Sequence, residues 1–185
     1  MKVYLDSGVF IDYLVAEGHP GFSLRSTKRR GRDPERLRTD AEKCLLGIRQ
    51  RHRAATSAVT CWEIEEAMYG GLVRQSPAPG SNGKRRLVPP ARQFVTQALT
   101  TIDFYRIELV DLTRLVVDAQ CSNLELQHRG IRAADALHIT TALAEGAELL
   151  ITTDAELIRL DNVFLNSAGA ALRCVDTDHA LALLA

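Results

Sequence analysis

The chain has 185 residues, 46% of them hydrophobic and 25% charged, and its formal net charge is zero. This balance fits a single globular domain over residues 1–185 and does not by itself indicate a nucleic-acid binder. No run reaches the roughly 18 apolar residues that a membrane span needs. Acidic residues interrupt the apolar stretch at the start, which argues against a signal peptide. The widely spaced cysteines, with no C-x-x-C pair, predict reduced thiols and a cytoplasmic location.

Short apolar runs alternate with helical patterns along the chain. This alternation predicts an α/β fold, a three-layer α/β/α arrangement with helices on both faces of a parallel sheet. Strands are predicted at residues 2–5, 54–57, 106–111, 148–152 and 172–175. Helices are predicted at residues 9–15, 36–51, 60–70, 91–100, 113–127, 133–145, 155–160 and 177–184.

Two segments, residues 18–38 and 76–90, are rich in Arg and Lys, which predicts long basic surface insertions. Residues 1–92 hold 17 Lys and Arg against 10 Asp and Glu, whereas the remainder holds 6 against 13. Either the insertions are solvated loops, or they form an electrostatic clamp on a phosphate backbone. Under the second interpretation the candidate nucleic-acid contacts are Arg29, Arg30, Lys84, Arg85 and Arg132.

Four carboxylates fall at predicted strand ends or near the start of the helix that follows. They are Asp6, Glu63, Asp135 and Asp154. Taken singly, each has an ordinary structural explanation. Asp6 and Asp154 suit helix N-caps. Glu63 completes a capping box with Thr60, and Asp135 lies where the helix dipole favours an acid.

Taken together, the four acids indicate a functional site, because the carboxyl ends of strands in a doubly wound sheet share one edge. Four negative charges at one place repel unless a cation is present, and oxygen ligands of this kind suit Mg²⁺ or Mn²⁺. A divalent ion activates water and neutralises charge on phosphoryl oxygens. The acids are therefore candidate metal ligands and catalytic residues for phosphodiester hydrolysis.

Four neighbours of these acids have two interpretations each. Ser7 and Thr152 either orient a carboxylate or a coordinated water, or close a turn through their hydroxyls. His138 lies three residues after Asp135 on the same helix face, and its pattern favours a hydrogen-bonded core histidine over a ligand. Trp62 suits a core position better than stacking on a nucleobase.

The sequence resembles the PIN-domain nucleases, especially the VapC type of bacterial toxin, in four short segments that occur in order. These segments are VYLDS at residues 3–7, TSAVTCWE at 56–63, RAADAL at 132–137 and LITTD at 150–154. The resemblance implies a PIN-like fold, a five-stranded parallel sheet with helices on both sides. It also implies Mg²⁺- or Mn²⁺-dependent cleavage of RNA by an endoribonuclease.

The resemblance implies roles for individual residues as well. The central metal ligands of the family correspond to Asp6, Glu63 and Asp135. Asp154 corresponds to a residue that helps to bind a second metal or a water, with Ser7 or Thr152 in support.

Partners also follow from the resemblance. VapC-like toxins form homodimers and are held inactive by a small antitoxin, so RNA, an antitoxin and a second copy of the chain are the expected partners. The chain departs from the family at Gly8, where many relatives carry a polar residue. It is also longer than compact toxins of this type, because of the two basic insertions.

Several alternatives stay open. A housekeeping RNA-processing or DNA-acting nuclease has the same site, and only a neighbouring antitoxin gene separates it from a toxin. A non-catalytic module that binds RNA or protein is disfavoured because none of the acids is missing. A haloacid-dehalogenase-type phosphatase needs a second acid where Gly8 stands. A response-regulator receiver needs a lysine after its last strands, whereas the lysines are Lys2, Lys28, Lys43 and Lys84.

Overall fold

The computed structural model of the chain describes residues 1–17, 29–76 and 80–185. Within these residues, strands and helices alternate along the chain. In chain order they are β1 (Lys2–Leu5), α1 (Ser7–Glu17), α2 (Pro34–Arg51), β2 (Arg53–Ser57), α3 (Val59–Gln75), α4 (Ser81–Arg85), α5 (Val88–Tyr105), β3 (Ile107–Val110), α6 (Arg114–Ser122), α7 (Leu124–His128), α8 (Ala133–Ala144), β4 (Leu149–Ile151), α9 (Ala155–Ile158), β5 (Arg173–Val175) and α10 (Thr177–Leu183).

The strands form one parallel sheet of five strands in the order β3-β2-β1-β4-β5. This arrangement confirms the predicted α/β class with a parallel sheet. The chain builds outward from β1 through β2 to β3 and then returns to place β4 on the other side of β1. The order therefore reverses between β1 and β4, the point at which open α/β sheets form their crevice.

Helices cover both faces of the sheet, which confirms the predicted three layers. Because side chains alternate along a strand, Val3 and Leu5 of β1 enter one core cluster with residues of α1, α2, α3, α5 and α10. Tyr4 points the other way, into a second cluster with residues of α7, α8 and α9. The central strand is thus buried on both faces, which explains its continuous apolar sequence.

Part of the two predicted basic insertions is helical. Helix α2 begins at Pro34 because Asp33 caps it, accepting from the amide of Arg36 at 2.8 Å and because proline is favoured in a first turn. The second segment contains α4, and α5 already begins at Val88. Residues 18–28 and 77–79 of the insertions lie outside the described residues.

The single helix predicted over residues 113–127 is wrong, because the structure divides it into α6 and α7. Asn123 separates the two helices, and its side chain accepts a hydrogen bond from the amide of Leu126 at 3.1 Å. Asparagine competes for backbone groups in this way and so favours caps over helix interiors.

The described helices include none that is long and apolar enough to cross a membrane.

Candidate active site

Two polar side chains follow directly on the neighbouring strands β1 and β4, where the strand order reverses. Asp6 comes after β1 and Thr152 after β4. The amide of Asp6 donates to the carbonyl of Ile151 at 3.0 Å, and the amide of Thr152 donates to that of Val175 at 2.9 Å. The ladder of the sheet therefore extends just far enough to fix both residues at its carboxyl edge.

Asp6 is buried and held by hydroxyl groups. Thr152 Oγ1 donates to one carboxylate oxygen at 2.7 Å, and Ser7 Oγ donates to the other at 3.3 Å. Hydroxyl-to-carboxylate bonds of the shorter kind are among the stronger hydrogen bonds in proteins. Thr152 Oγ1 also accepts from the amide of Asp154 at 3.1 Å. Thr152 thus fills both predicted roles, orienting a carboxylate and closing a turn.

Glu63 reaches the same edge from α3, which follows β2. The predicted capping box is wrong, because Thr60 lies inside α3 and shares a hydrogen bond with Thr56 at 2.8 Å. Glu63 instead accepts from His138 Nε2 at 2.7 Å. Its carboxylate is therefore directed toward the sheet and away from the helix terminus.

His138 connects the second core cluster with the site. It is fully buried, with Nδ1 2.9 Å from Tyr4 Oη and Nε2 within 3.5 Å of an oxygen of Asp6. The sequence favoured a hydrogen-bonded core histidine, and the burial agrees with that interpretation. The sequence did not indicate that the partners include two carboxylates of the candidate site. The only signal was the position of His138 on the same helix face as Asp135.

The electrostatics of this contact favour an imidazolium–carboxylate pair. Burial disfavours the charge on His138, but its hydrogen bond to Glu63 and the charges of Asp6 and Glu63 raise its pKa above the ordinary value. Burial likewise opposes the charge on Glu63, but the hydrogen bond from His138 lowers its pKa. In the charged form both ring nitrogens donate, one to Glu63 and the other to Tyr4.

Asp135 and Asp154 add further negative charge at the start of α8 and of α9. Burial and then the charges of Asp154, Asp6 and Glu63 raise the pKa of Asp135 to about 6, against a lowering effect of Arg132. Asp154 caps α9, accepting from the amide of Glu156 at 2.7 Å, as its structural interpretation predicted. Because the charges of the other three acids all raise the pKa of Asp135, the four carboxylates belong to one electrostatic environment.

The donor atoms of this site suit a cation. Among the described residues, Asp6, Glu63 and His138 form a group in which one ligand atom of each lies within 4.8 Å of the others. A raised carboxyl pKa shows how unfavourable the assembled negative charge is, and a divalent cation relieves it. The oxygens of Asp6 and Glu63 fit a hard ion such as Mg²⁺ or Mn²⁺, whereas His138, with both ring nitrogens engaged, orients the carboxylates.

The predicted nucleic-acid contacts divide into two groups. Lys84 and Arg85 are exposed on α4, and Arg132 is exposed at the N-cap of α8, with Nε 3.7 Å from Asp135. Arg29 and Arg30 lie elsewhere, so they do not join the carboxylate cluster.

The assignment of Arg29 to nucleic acid requires correction, because its guanidinium is part of a largely buried ion network. Arg29 Nη2 donates to Asp12 at 2.6 Å and to Asp176 at 3.3 Å. Arg30 lies 3.7 Å from Asp176. Arg32, which the sequence did not single out, donates to Asp176 at 2.6 Å and to Asp40 at 3.0 Å. These arginines neutralise buried acids.

Trp62 also differs from its prediction. The sequence favoured a core position, but the side chain is 61% exposed on the surface of α3, one residue before Glu63.

Gly8 packs directly against the loop that carries Thr152 and Asp154. A Cβ atom at this position would lie 2.0 Å from Thr153 Oγ1 and 2.9 Å from Thr153 Cβ. The side chain of Thr153 therefore occupies the space that a polar side chain at position 8 would take. This contact gives a physical reason for the departure from the family pattern at Gly8.

We expect the substitution Gly8→Ala to lower the free energy of unfolding by about 1–3 kcal/mol, the usual cost of overpacking. The clash pushes Thr153 away, and Thr152 and Asp154 move with it. Urea unfolding of Gly8→Ala, Thr153→Gly and the double variant measures the effect. The double variant should lose less than the two single losses added together. Additive losses would show that the two residues are not in contact.

The fold and the acid cluster define the class: a parallel α/β protein with carboxylates gathered at the strand-order reversal. The chain belongs to the PIN-domain family, whose model matches residues 3–163. Its fold is also similar to that of a chain in the crystal structure of VapBC2 from Rickettsia felis bound to a DNA fragment from their promoter. The TM-score is 0.51 at 17% identity, covering 94% of this chain and 98% of that chain. No curated protein matches the sequence.

Proposed function

We propose that this chain is a Mg²⁺- or Mn²⁺-dependent endoribonuclease that hydrolyses phosphodiester bonds of RNA, acting in the cytoplasm as the toxin of a toxin–antitoxin pair. Membership of the PIN-domain family supports nuclease activity. The observation that carries the proposal is the contact of Asp6, Glu63 and His138, with Asp135 close enough to feel the charge of the other acids.

Each residue has a defined task in this proposal. Asp6 and Glu63 hold the cation, while Thr152 and His138 fix the orientation of these two carboxylates through hydrogen bonds of 2.7 Å each. Asp135 would be a further carboxylate ligand of that ion. A bound divalent cation lowers the pKa of water and offsets the charge that grows on the phosphoryl oxygens.

Asp154, Ser7 and three exposed basic side chains have supporting roles in this proposal. Asp154, at the start of α9, is proposed to orient the attacking water or to help bind a second ion. Ser7, beside Asp6, donates to its carboxylate. Exposed Arg132, Lys84 and Arg85 are proposed to contact phosphates, each contributing to a salt-dependent affinity.

A small antitoxin and a second copy of this chain are the proposed protein partners. In support, the fold is similar to that of a chain in the crystal structure of VapBC2 bound to a promoter DNA fragment. Exposed leucines on α6 and α7, Leu115 at 81% and Leu124 at 62%, supply apolar surface that a protein partner can cover.

The experiment that tests the function is incubation of the purified chain with total RNA and with single-stranded DNA. Each substrate is tested with Mg²⁺, with Mn²⁺ and with EDTA. We expect RNA fragments that appear only with a cation. Cleavage of DNA alone would favour a DNA-acting nuclease. Binding of RNA without cleavage under every condition would support a non-catalytic module.

The raised pKa of Asp135 predicts that cation binding depends on pH. Because this pKa is about 6, the carboxyl is ionised above pH 6 and becomes neutral as the pH falls below it. Cations compete with this proton, so we expect the affinity for Mn²⁺ to fall by up to about tenfold per pH unit below that value.

Titration of the protein with Mn²⁺ between pH 5 and 8, followed by calorimetry, measures this dependence. The variant Asp135→Asn should bind more weakly at pH 8 and should lose much of the change in affinity near pH 6. The exposed variant Asp118→Asn is the control and should behave as the wild type does. An inflection that persists unchanged in Asp135→Asn would assign the proton to another group.

A further inference from the structure

An apolar pocket opens beside the acid cluster. Its volume is about 470 Å³, and its walls include Val59, Trp62, Leu112, Ala133, Ala134 and Leu137. We refer to it as the Trp62 pocket. The lining side chains carry no charge, and the indole N–H is their single polar group. Three alanines in the lining, including Ala58, leave the space open.

Two residues of the pocket lining are sequence neighbours of acids in the candidate site. Trp62 precedes Glu63 on α3, and Ala134 precedes Asp135 on α8. Arg132, whose side chain is 84% exposed, lies next to Ala133 in the sequence. Because these residues are adjacent in the chain, we expect a strand with a phosphate at the acid cluster to bring an adjoining nucleotide near the pocket and near Arg132.

The exposure of Trp62 needs an explanation. A large aromatic side chain that is 61% exposed loses the stabilisation that burial provides. The indole offers a flat face, and the volume lies within the range of about 300–1,000 Å³ that small-molecule sites occupy. Flat aromatic groups stack on the face of an indole, and every nucleobase has a flat aromatic face that can do so.

The charge of the neighbouring site indicates which kind of molecule occupies the pocket. The site beside the pocket is acidic and binds, in the proposed function, a divalent cation that attracts phosphate. A nucleic-acid strand supplies both groups together, a phosphate for the cation and a base one nucleotide away for the apolar pocket. No lining side chain other than the indole can hydrogen-bond to the edge of a base, so recognition depends on stacking.

We propose that the Trp62 pocket binds an unpaired nucleobase next to the scissile phosphate, by stacking on the indole. This inference rests on the proposed nuclease function and specifies its substrate. A base in the pocket is not paired, so the enzyme acts on single-stranded RNA. Because stacking tolerates every base, the pocket selects for an unpaired strand more than for a sequence.

The chain contains a single tryptophan, so its fluorescence reports on this pocket. The full-length variant Asp6→Asn, which is expected not to cleave, is titrated in excess Mg²⁺ to offset its weaker cation binding. The three probes are single-stranded oligoadenylate, a ribose-phosphate chain of equal length without bases, and an RNA duplex. We expect quenching by the oligoadenylate and little by the other two. Equal quenching by the chain without bases, or no quenching at all, would overturn the proposal.

Cleavage by variants gives a second readout. Loss of one stacked base by alanine substitution corresponds to a fall of about 5- to 150-fold in affinity, so kcat/KM of Trp62→Ala on single-stranded RNA should fall in this range. Trp62→Phe should restore most of it. The control Phe104→Ala removes an exposed aromatic side chain of α5 that is not part of the pocket lining, and it should cleave as the wild type does.

The outcomes separate this proposal from the function on which it rests. If the wild type cleaves RNA in a metal-dependent way and Trp62→Ala cleaves equally well, the nuclease stands and the base pocket is wrong. If the wild type cleaves no RNA, both fail. If sedimentation shows that Trp62→Ala converts a dimer to a monomer and oligoadenylate does not quench the wild type, the pocket is a protein interface.

Discussion

The variant Asp6→Asn should lose at least about 100-fold in kcat/KM on RNA while keeping its fold. In the proposed function Asp6 is one of the carboxylates that would hold the cation. Metal catalysis contributes several kcal/mol to transition-state stabilisation, and each 1.4 kcal/mol corresponds to tenfold in rate. Asparagine has nearly the same shape, and its carbonyl oxygen can still accept the hydrogen bond of 2.7 Å from Thr152. Initial rates with Mg²⁺ and with Mn²⁺ measure the loss.

Thermal unfolding shows whether Asp6 acts through the cation. Without metal, removing one of four repelling charges should leave the melting temperature of Asp6→Asn unchanged or raise it. With Mg²⁺, the wild type should gain stability and the variant should gain much less, because a ligand stabilises only the state that binds it. Asp118→Asn, an exposed position of α6, is the matched control. A variant that cleaves at a near-normal rate would remove Asp6 from the proposed site.

The variant Arg32→Ala should lower the free energy of unfolding by about 3–5 kcal/mol, the usual cost of removing one partner from a buried ion pair. Arg32 donates to Asp176 and Asp40, whose side chains are fully buried. Without the guanidinium, both acids remain inside the protein with less positive charge beside them. Urea unfolding at pH 7 measures the loss. Arg30→Ala is the control, because Arg30 is more exposed and 3.7 Å from Asp176, and it should lose no more than about 1 kcal/mol.

The loss in Arg32→Ala should shrink as the pH falls. Burial opposes the charge on Asp176, but the charges of Arg29 and Arg32 and hydrogen bonds from Thr177 lower its pKa below the ordinary value. A carboxyl with a lowered pKa stabilises the fold above its unfolded pKa of about 4, and that contribution disappears as the pH falls through the folded pKa. A protonated Asp176 has no charge for Arg32 to neutralise. The free energies of unfolding of the wild type and the variant should therefore converge in acid. A constant difference from pH 7 to pH 3 would contradict the ion pair.

Local sequence predicted the strands well and singled out the four acids of the candidate site. The run of apolar residues that ends at Asp6 marks a buried central strand, and the structure gives β1 the predicted bounds. The acids that follow such strands meet because parallel strands end at one edge. Periodicity and strand topology carry this information, and both can be read within short windows.

Contacts between distant segments could not be predicted in this way. Glu63 and His138 are 75 positions apart, and Arg32 and Asp176 are 144 apart. Whether they meet depends on how helices pack, and no local pattern encodes that. The basic segment near Arg32 therefore suggested a solvated surface, although its arginines cover buried acids.

The end of α5 was missed for a different reason. The helix continues to Tyr105 and ends at Arg106, which adopts the left-handed conformation at φ 58°. Glycine usually takes this position and signals the end of a helix. Arginine gives no such signal, so the predicted helix stopped early at residue 100.

The position of β1 between β2 and β4 has a consequence for synthesis on the ribosome. Asp6 is made before Ile151 and Thr152, which fix it and are translated about 145 residues later, as the sequence separation of 146 between Asp6 and Thr152 requires. A nascent chain that has not yet released β4 has no complete site. Translation at roughly 5–20 residues per second makes that interval several seconds or more. If the chain is the ribonuclease proposed above, its site cannot act on the encoding message before β4 has been translated.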